Sequence, residues 1–426
     1  MILADDLTGA ADTGASFASR GFATTISFAT PPEQNADNLD IRAGQDLPDV
    51  LALSTESRDA DTTTAERLNR DAIGRVRRLG QAWQFSSGLE GESPFRVYKK
   101  IDSALRGHPR EELVAIMAEL GVRRALVAPA LPDESRTTLG GRQFIGGVPV
   151  EQSPFGGQMT TSDLFALFSG GGEGAEKVHA LGLQTIRMGV DAVRQVLLDV
   201  TEGIVVADAE TDTDLLTLAS AAMSSDIRVL SGSAGFAKQL AFVLPLVPRP
   251  PSRHSSLVEK GPVLVVAGSR HRATDVQVDA LRRAGYPFIC LDQDHIDDPA
   301  TAIHDTIDAV ASHLAAGRSV LLTTTGLDPS VQGPAFVVSR LAGVAVEAAS
   351  RGHIGGLVLT GGDVAAGVFT GMGATSMHLR GEIRPAMPWG IVESSRLPPL
   401  LVATKAGSFG TEDALLACID HLIALG

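Results

Sequence analysis

Short apolar runs punctuate the chain, VLALST at 50–55, RALVAPA at 124–130 and GIVVADAE at 203–210, and helical patterns fill the spaces between them. Beyond residue 257 the alternation is cleaner. VLVVAG, a helix over 272–284, YPFICLD, a helix over 300–316, SVLLTTTG, a helix over 334–350, GLVLTGGD and LLVATKAG follow one another. Strands that are apolar throughout and separated by helices belong to parallel sheets covered on both faces. The pattern therefore predicts an α/β protein of two domains, each with a largely parallel sheet flanked by helices. In the helix after Ser269, Ala273, Val276, Ala280 and Ala284 read as one apolar stripe, with Gly285 as the stop. The Pro-rich segment PLVPRPPSRHSS at 245–256 has no apolar period and reads as an extended spacer. It sets the expected boundaries: a domain over 1–244, a linker over 245–256 and a domain over 257–426. Residues 167–178, centred on GGGEG, read as a surface excursion.

The chemistry gathers where these strands end. GLVLTGGD (356–363) and LLVATKAGSFG (400–410) both run from an apolar strand through Thr into glycines, and VLVVAGSRHRATD (263–275) is a third such loop. Each leaves backbone N–H groups free at a helix start, where phosphate oxygens bind; each taken alone is also a tight strand-to-helix turn. Lys405 adds a point charge, and Gly407 and Gly410 line its loop. Thr411 is the expected cap of the last helix, with Glu412 and Asp413 in its first turn, facing away from a phosphate or helping to hold Mg²⁺. There is no GxxxxGK[ST] and no GxGxxG.

The N-terminal half places carboxylates at a strand end. ILADDLTGAADTG puts Asp5 and Asp6 after a short strand, with Asp12 seven residues on, able to face the same crevice; Asp6 or Thr8 alternatively caps the helix. Arg58 follows VLALST. VYKKIDSALRGHPREEL (97–113) packs Lys99, Lys100, Asp102, Ser103, Arg106, His108 and Arg110 together. Lys100, Asp102 and Ser103 offer a cation for a carboxylate, a carboxylate for hydroxyls and a neutral hydrogen-bonder, the equipment for a small polyhydroxy acid. The same run also reads as a solvated loop opening a helix. PALPDESRTTLGGRQFIGGVPV (129–150), with Arg136 and Arg142, reads as a loop and hairpin, a lid or a dimer arm.

Composition narrows the partners. With 36 Lys and Arg against 50 Asp and Glu, the net charge of −14 argues against nucleic acid or an anionic membrane. No apolar run reaches the ~18 residues of a membrane span, and Asp5 and Asp6 stand where a signal peptide would be greasy. Two cysteines outside any CxxC pattern suggest a reducing cytosol, with both thiols in the core. None of the ten His has zinc-ligand spacing, and GSAG around Ser233 is not a nucleophile elbow.

Taken in order, ADDLTGAADTG, KKIDSALRGH, PALPDESRT, SGSAGFAKQLA, VAGSRHRAT, LTGGDVAAGVF and TKAGSFG resemble the four-carbon acid sugar kinases along essentially the whole chain. The resemblance implies ATP-dependent phosphorylation of the terminal hydroxyl of threonate, erythronate or 3-oxo-tetronate. It also implies a sugar-acid domain, an ATP domain, an active site in the inter-domain cleft and a homodimer. Carried over by position, Asp5 or Asp6, Arg58, Lys100, Asp102 and Ser103 would contact the acid. Ser269, Gly361, Gly362, Asp363, Val364 and Gly407 would contact ATP. The opening strand, Ile2 to Ala4, is shorter than the family usually shows.

The expectation is a cytoplasmic Mg·ATP-dependent kinase. Asp5, Asp6 and Asp102 are its catalytic candidates, with Asp5 or Asp6 orienting the hydroxyl. Asp6, Asp12, Arg58, Lys100, Asp102, Ser103 and Arg106 bind the acid. Magnesium arrives with the nucleotide, Asp363 being its first candidate ligand, and no dedicated protein metal site is expected. Closure across the linker would exclude water. The rivals are a non-catalytic sugar-acid sensor that responds to nucleotide, and a hydroxy-acid lyase or dehydratase.

Overall fold

The computed structural model describes residues 1–28, 48–87, 95–155, 161–171, 175–245, 258–268, 271–291, 299–324 and 333–425. Most of the linker, residues 172–174 of the GGGEG stretch and Ser269 lie outside them. The first strands in chain order are β1 (Ile2–Ala4), β2 (Thr24–Ser27), β3 (Val50–Ser54), β4 (Val97–Lys100), β5 (Arg124–Ala128) and β6 (Arg136–Leu139). Next come β7 (Arg142–Ile145), β8 (Val148–Pro149), β9 (Val178–Leu181), β10 (Gly203–Ala207) and β11 (Val229–Gly232). The C-terminal strands are β12 (Val263–Ala267), β13 (Phe288–Cys290), β14 (Val320–Thr323), β15 (Gly356–Thr360), β16 (Ala374–Glu382), β17 (Pro388–Ser394) and β18 (Leu400–Lys405).

The chain divides into two compact units, Met1–Phe22 with Pro31–Val247, and Ala23–Thr30 with Pro248–Gly426. The second unit thus takes a piece from near the N-terminus, which a single boundary at the proline-rich segment does not foresee.

In the first unit β3-β1-β4-β11-β5-β10-β9 form a wholly parallel sheet. β4, β10 and β11 are buried at every position, as strands of a sheet covered on both faces should be, although β4 carries two lysines. The helices Thr62–Ser87 and Pro109–Leu120 pack together, as do Leu7–Ala18, Ala234–Val243 and Asp212–Met223 in succession. One core cluster joins Leu3, Ile73, Val97, Leu113, Ile116, Val127 and Phe168. β6, β7 and β8 make the antiparallel ribbon expected around residues 136–149.

In the second unit β13-β14-β12-β15-β18 are parallel, but the sheet continues through antiparallel β17, β16 and β2. It is a mixed sheet, so the largely parallel expectation holds for five of its eight strands. β16 has alternating burial and two register shifts, which spread its apolar residues among polar ones and hide them from a search for continuous runs. The helix Arg272–Arg283 forms where expected and Gly285 follows it at φ +83. Its buried residues are Thr274, Gln277, Val278, Ala280 and Leu281, whereas Val276 is exposed. The all-aliphatic stripe was misplaced because Thr274 and Gln277 turn inward to bond a neighbouring loop. Among the described residues no helix is long and apolar enough to cross a membrane. Cys418 is buried and Cys290 half-buried, and neither is in a disulfide.

Candidate active site

In the first unit the polar residues collect at the carboxyl ends of β1, β3 and β4, the edge where open parallel sheets bind ligands. Alternation along β4 sends its two lysines to opposite faces. Lys99, fully buried, pairs with Glu112 of the helix Pro109–Leu120 at 2.6 Å, and Glu112 also accepts from Ser57. Lys100 lies against the helix Leu7–Ala18, so close that a Cβ on Gly9 would sit 3.4 Å from Lys100 Cγ and 3.3 Å from Nζ. The 97–113 run is therefore not a solvated loop: Lys99, Lys100, Asp102 and Ser103 are all buried. Gly107 at φ +82 and Pro109 in the first turn do break the register and start the next helix.

The aspartates divide by partner. Asp5, 2% exposed, accepts from Arg58 Nε at 2.8 Å and Nη2 at 3.0 Å. Burial alone would raise its pKa, but Arg58, Lys99 and Lys100 hold it below the usual carboxylate range. Asp6 caps the helix Leu7–Ala18 by accepting from Gly9 N at 2.7 Å, and its second oxygen takes Arg58 Nη1. Burial and the neighbouring Asp5 push Asp6 upward. Capping and site chemistry thus share one side chain. Arg58, expected to grip the substrate, instead spends Nε, Nη1 and Nη2 on these two carboxylates. Asp5, expected to orient the hydroxyl, has both oxygens occupied.

Asp12 stands apart. On the helix Leu7–Ala18 only Thr8, Asp12 and Ser16 escape full burial, at the i, i+4, i+8 spacing of one face. No hydrogen bond or ion pair to the Asp12 carboxyl or the Lys100 ammonium occurs among the described residues. Burial raises Asp12 to about 6, with Lys100 pulling down and Asp6 and Glu134 pushing up. Asp102 forms a bidentate pair with Arg106, 2.7 Å to Nε and 3.1 Å to Nη2. Although burial opposes it, Arg106, Arg58 and Lys100 hold Asp102 well below the normal range. Ser103 Oγ accepts from Arg136 Nη1.

Arg136, expected in a hairpin serving as a lid or a dimer arm, reaches the site through its bond to Ser103. The ribbon that carries it is pinned at and beside its first turn. Asp208, at the end of β10, accepts from Gly140 N and Gly141 N, each at 2.9 Å, and Gln143 donates to Ser103 O at 2.9 Å. Gly141 is required there, since φ is +69 and a Cβ would lie 2.2 Å from the Phe165 ring. The signal in the sequence was the Gly140-Gly141 turn together with an aspartate ending a distant strand, a pairing that periodicity does not reveal.

The glycine loops occupy the second unit. Gly361, at φ +104, donates to Lys405 O at 2.9 Å and opens the helix Gly362–Met372. Among the described residues the first-turn N–H groups of Gly362, Asp363 and Val364 meet no acceptor. In the loop after β18, Lys405 is 2% exposed and donates to the carbonyls of Ala406, Gly407 and Phe409. Burial lowers it to about 8. Thr274 takes Gly407 O at 2.9 Å, and Gln277 takes the carbonyls of Phe409, Gly410 and Thr411. With the carbonyls so occupied, the N–H groups of Gly407, Ser408 and Gly410 meet no acceptor among the described residues. Lys405 shapes the loop from beneath rather than pointing out of it.

The last helix starts at Ala414, so Thr411, Glu412 and Asp413 precede it and are not its first turn. Asp413 is bidentate on Arg384, and Glu412 pairs with Arg283. Both acids face surface arginines. Among the described residues no three His, Cys, Asp or Glu gather in a metal-binding group.

Comparison with known proteins fits this division. A family model described as a sugar-binding N-terminal domain matches residues 1–240, and one described as a nucleotide-binding C-terminal domain matches 264–415. The class is thus a two-domain protein whose halves match a sugar-binding and a nucleotide-binding domain model. A D-threonate kinase of Salmonella typhimurium is 30% identical over 99% of this chain and 98% of its own. A D-threonate kinase of Cupriavidus necator is 32% identical over 97% and 96%, and a D-erythronate kinase of Heliobacterium modesticaldum 28% over 99% and 97%. The chain belongs to the four-carbon acid sugar kinase family. A Salmonella typhimurium structure described as a putative tRNA synthase has the same fold, with a TM-score of 0.78, 22% identity and 98% of each chain covered. Membership supports a kinase-type activity.

Proposed function

We propose that this protein transfers phosphate from Mg·ATP to the terminal hydroxyl of a four-carbon sugar acid, of the D-threonate, D-erythronate or 3-oxo-tetronate type. The observation that carries the proposal is Lys100 and Asp12, unpartnered among the described residues, beside fully paired carboxylates, in a chain similar end to end to D-threonate kinases. Phosphoryl transfer asks the protein mainly for positioning and charge stabilisation. In this reading Lys100 and Asp12 hold the reacting hydroxyl, and Asp12 takes its proton as the new P–O bond forms. A carboxylate near 6 suits a base working at neutral pH. This moves the proton acceptor from Asp5 or Asp6, which fix Arg58 and the helix start, to Asp12. Asp102 would bind the inner hydroxyls, with Arg106 holding Asp102 in place.

Bound Mg·ATP supplies the phosphoryl group and the metal's charge. The second unit fits that ligand, because its free N–H groups at 362–364, 407, 408 and 410 suit phosphate oxygens. Asp363, exposed at the helix start, is a carboxylate for a magnesium that keeps most of its waters. The inter-domain active site and the homodimer implied by the resemblance belong to the proposal as well. A coupled assay of ADP release against a panel of tetronates tests it. ADP formation with at least one acid is expected. Binding of acids with ATP left intact would favour the sensor, and acid consumption without nucleotide would favour the lyase.

A further inference from the structure

Besides Lys100, the site carries a second cation, Arg136, that no acid pairs among the described residues. Arg136 reaches the strand ends from the ribbon, and among the described residues no carboxylate lies within ion-pair distance of it. Its side-chain hydrogen bond goes from Nη1 to the neutral Ser103 hydroxyl, while its Nε is sealed from solvent and meets no acceptor. The guanidinium stacks on Phe155, 5.2 Å from the ring centroid, and Arg106 shares the same ring at 5.8 Å. Residues 156–160, which follow Phe155, contain no acid. The other arginines of the site are satisfied, Arg58 by Asp5 and Asp6 and Arg106 by Asp102.

Lys100 is the alternative seat for a substrate carboxylate, but it acts electrostatically on Asp5, Asp6, Asp12 and Asp102 together. An anion entering there would meet four acidic side chains. Arg136 offers a cation beside a hydroxyl donor over an aromatic floor, and only two acids, Asp102 and Glu134, act on it electrostatically among the described residues. A planar guanidinium with free N–H groups matches a carboxylate two-pronged. Burial without a paired acid also depresses Arg136, the opposite of what Arg58 and Arg106 show.

We infer that Arg136, with Ser103, receives the C1 carboxylate of the substrate and sets the preference for sugar acids over the corresponding alcohols. This rests on the proposed function for the identity of the acid, and it makes the ribbon a specificity element. Lys100 is thereby left to the hydroxyl end.

The test is calorimetric titration without nucleotide, of D-threonate, D-erythronate and erythritol into wild type, Arg136→Gln and Arg136→Lys. Wild type should bind one of the acids at least tenfold tighter than erythritol. Arg136→Gln should bind acid and alcohol alike, and Arg136→Lys should fall between. An Arg136→Gln protein that keeps the acid preference, or that loses erythritol in the same proportion, overturns the inference. So does a wild type that binds no acid. If Arg136→Gln does not fold, Arg136→Lys decides, and full preference in that variant overturns the inference. Acid binding as expected with no ADP formed would sink the proposed kinase reaction and leave this assignment standing.

Discussion

Replacing Asp12 by Asn should make the protein more stable and less active at once. Burial raises the Asp12 carboxyl from 3.8 to about 6, so keeping it ionised costs the folded state roughly 3 kcal/mol above pH 6, at ~1.4 kcal/mol per pKa unit. The sign follows from proton linkage. Between the unfolded and folded pKa values the native state binds the extra proton, so stability is highest below about 4 and declines as pH rises through 6. Asparagine keeps the shape and removes the charge. At pH 7 the variant should therefore gain up to about 3 kcal/mol, which for a unit of this size is on the order of 6–12 °C in Tm. Urea unfolding of both proteins at pH 7 and pH 4.5 measures the difference, which should shrink toward zero as pH falls. Turnover should drop by about 10²–10⁴-fold, the usual worth of general base catalysis. The wild-type decline in kcat below about pH 6 should vanish in the variant. A variant no more stable than wild type at pH 7, or a gap that does not change with pH, would refute the reasoning about burial. Undiminished turnover would refute the assignment of the base.

Other perturbations test other parts of the site. Glu112→Gln strands the sealed Lys99 ammonium and should cost about 3–5 kcal/mol in urea unfolding; a loss under ~1 kcal/mol would show that the pair is dispensable. Asp102→Asn should lose turnover far more than ATP affinity, since it leaves Arg106 without its bidentate partner; equal turnover would remove Asp102 from the site. Gly410→Ala must fit a Cβ 2.5 Å from Met387 Cε at φ +89, so a stability loss on the order of 1–3 kcal/mol is expected. Its KM for ATP should rise while its affinity for the acid holds, and an unchanged KM for ATP would separate that loop from the nucleotide.

What the sequence made legible follows from physics that is local in the chain. Fully buried parallel strands such as β1, β10, β12 and β15 are continuous or nearly continuous apolar runs, and the ends of β1, β15 and β18 place Asp5, Gly361 and Gly407 without reference to the rest of the fold. Half-buried β16 and its neighbour β17 give no such run, so the antiparallel part of the second sheet went unseen. Residue types in the site were readable, but their pairing was not. Arg58 and the aspartates sit about fifty residues apart, and only folding shows that they satisfy each other. Asp12 and Lys100 acquire significance because nothing pairs with them among the described residues, a property absent from any motif. Arg136 required the long-range pin between Asp208 and the Gly140-Gly141 turn.

The claim on which the account turns is the destination of the phosphoryl group, and proton-coupled phosphorus NMR of the reaction mixture reads it directly. Incubation with Mg·ATP and a tetronate should yield a phosphomonoester whose phosphorus couples to the two methylene protons of C4. Coupling to a single methine proton, or inorganic phosphate as the sole new phosphorus species, would contradict it.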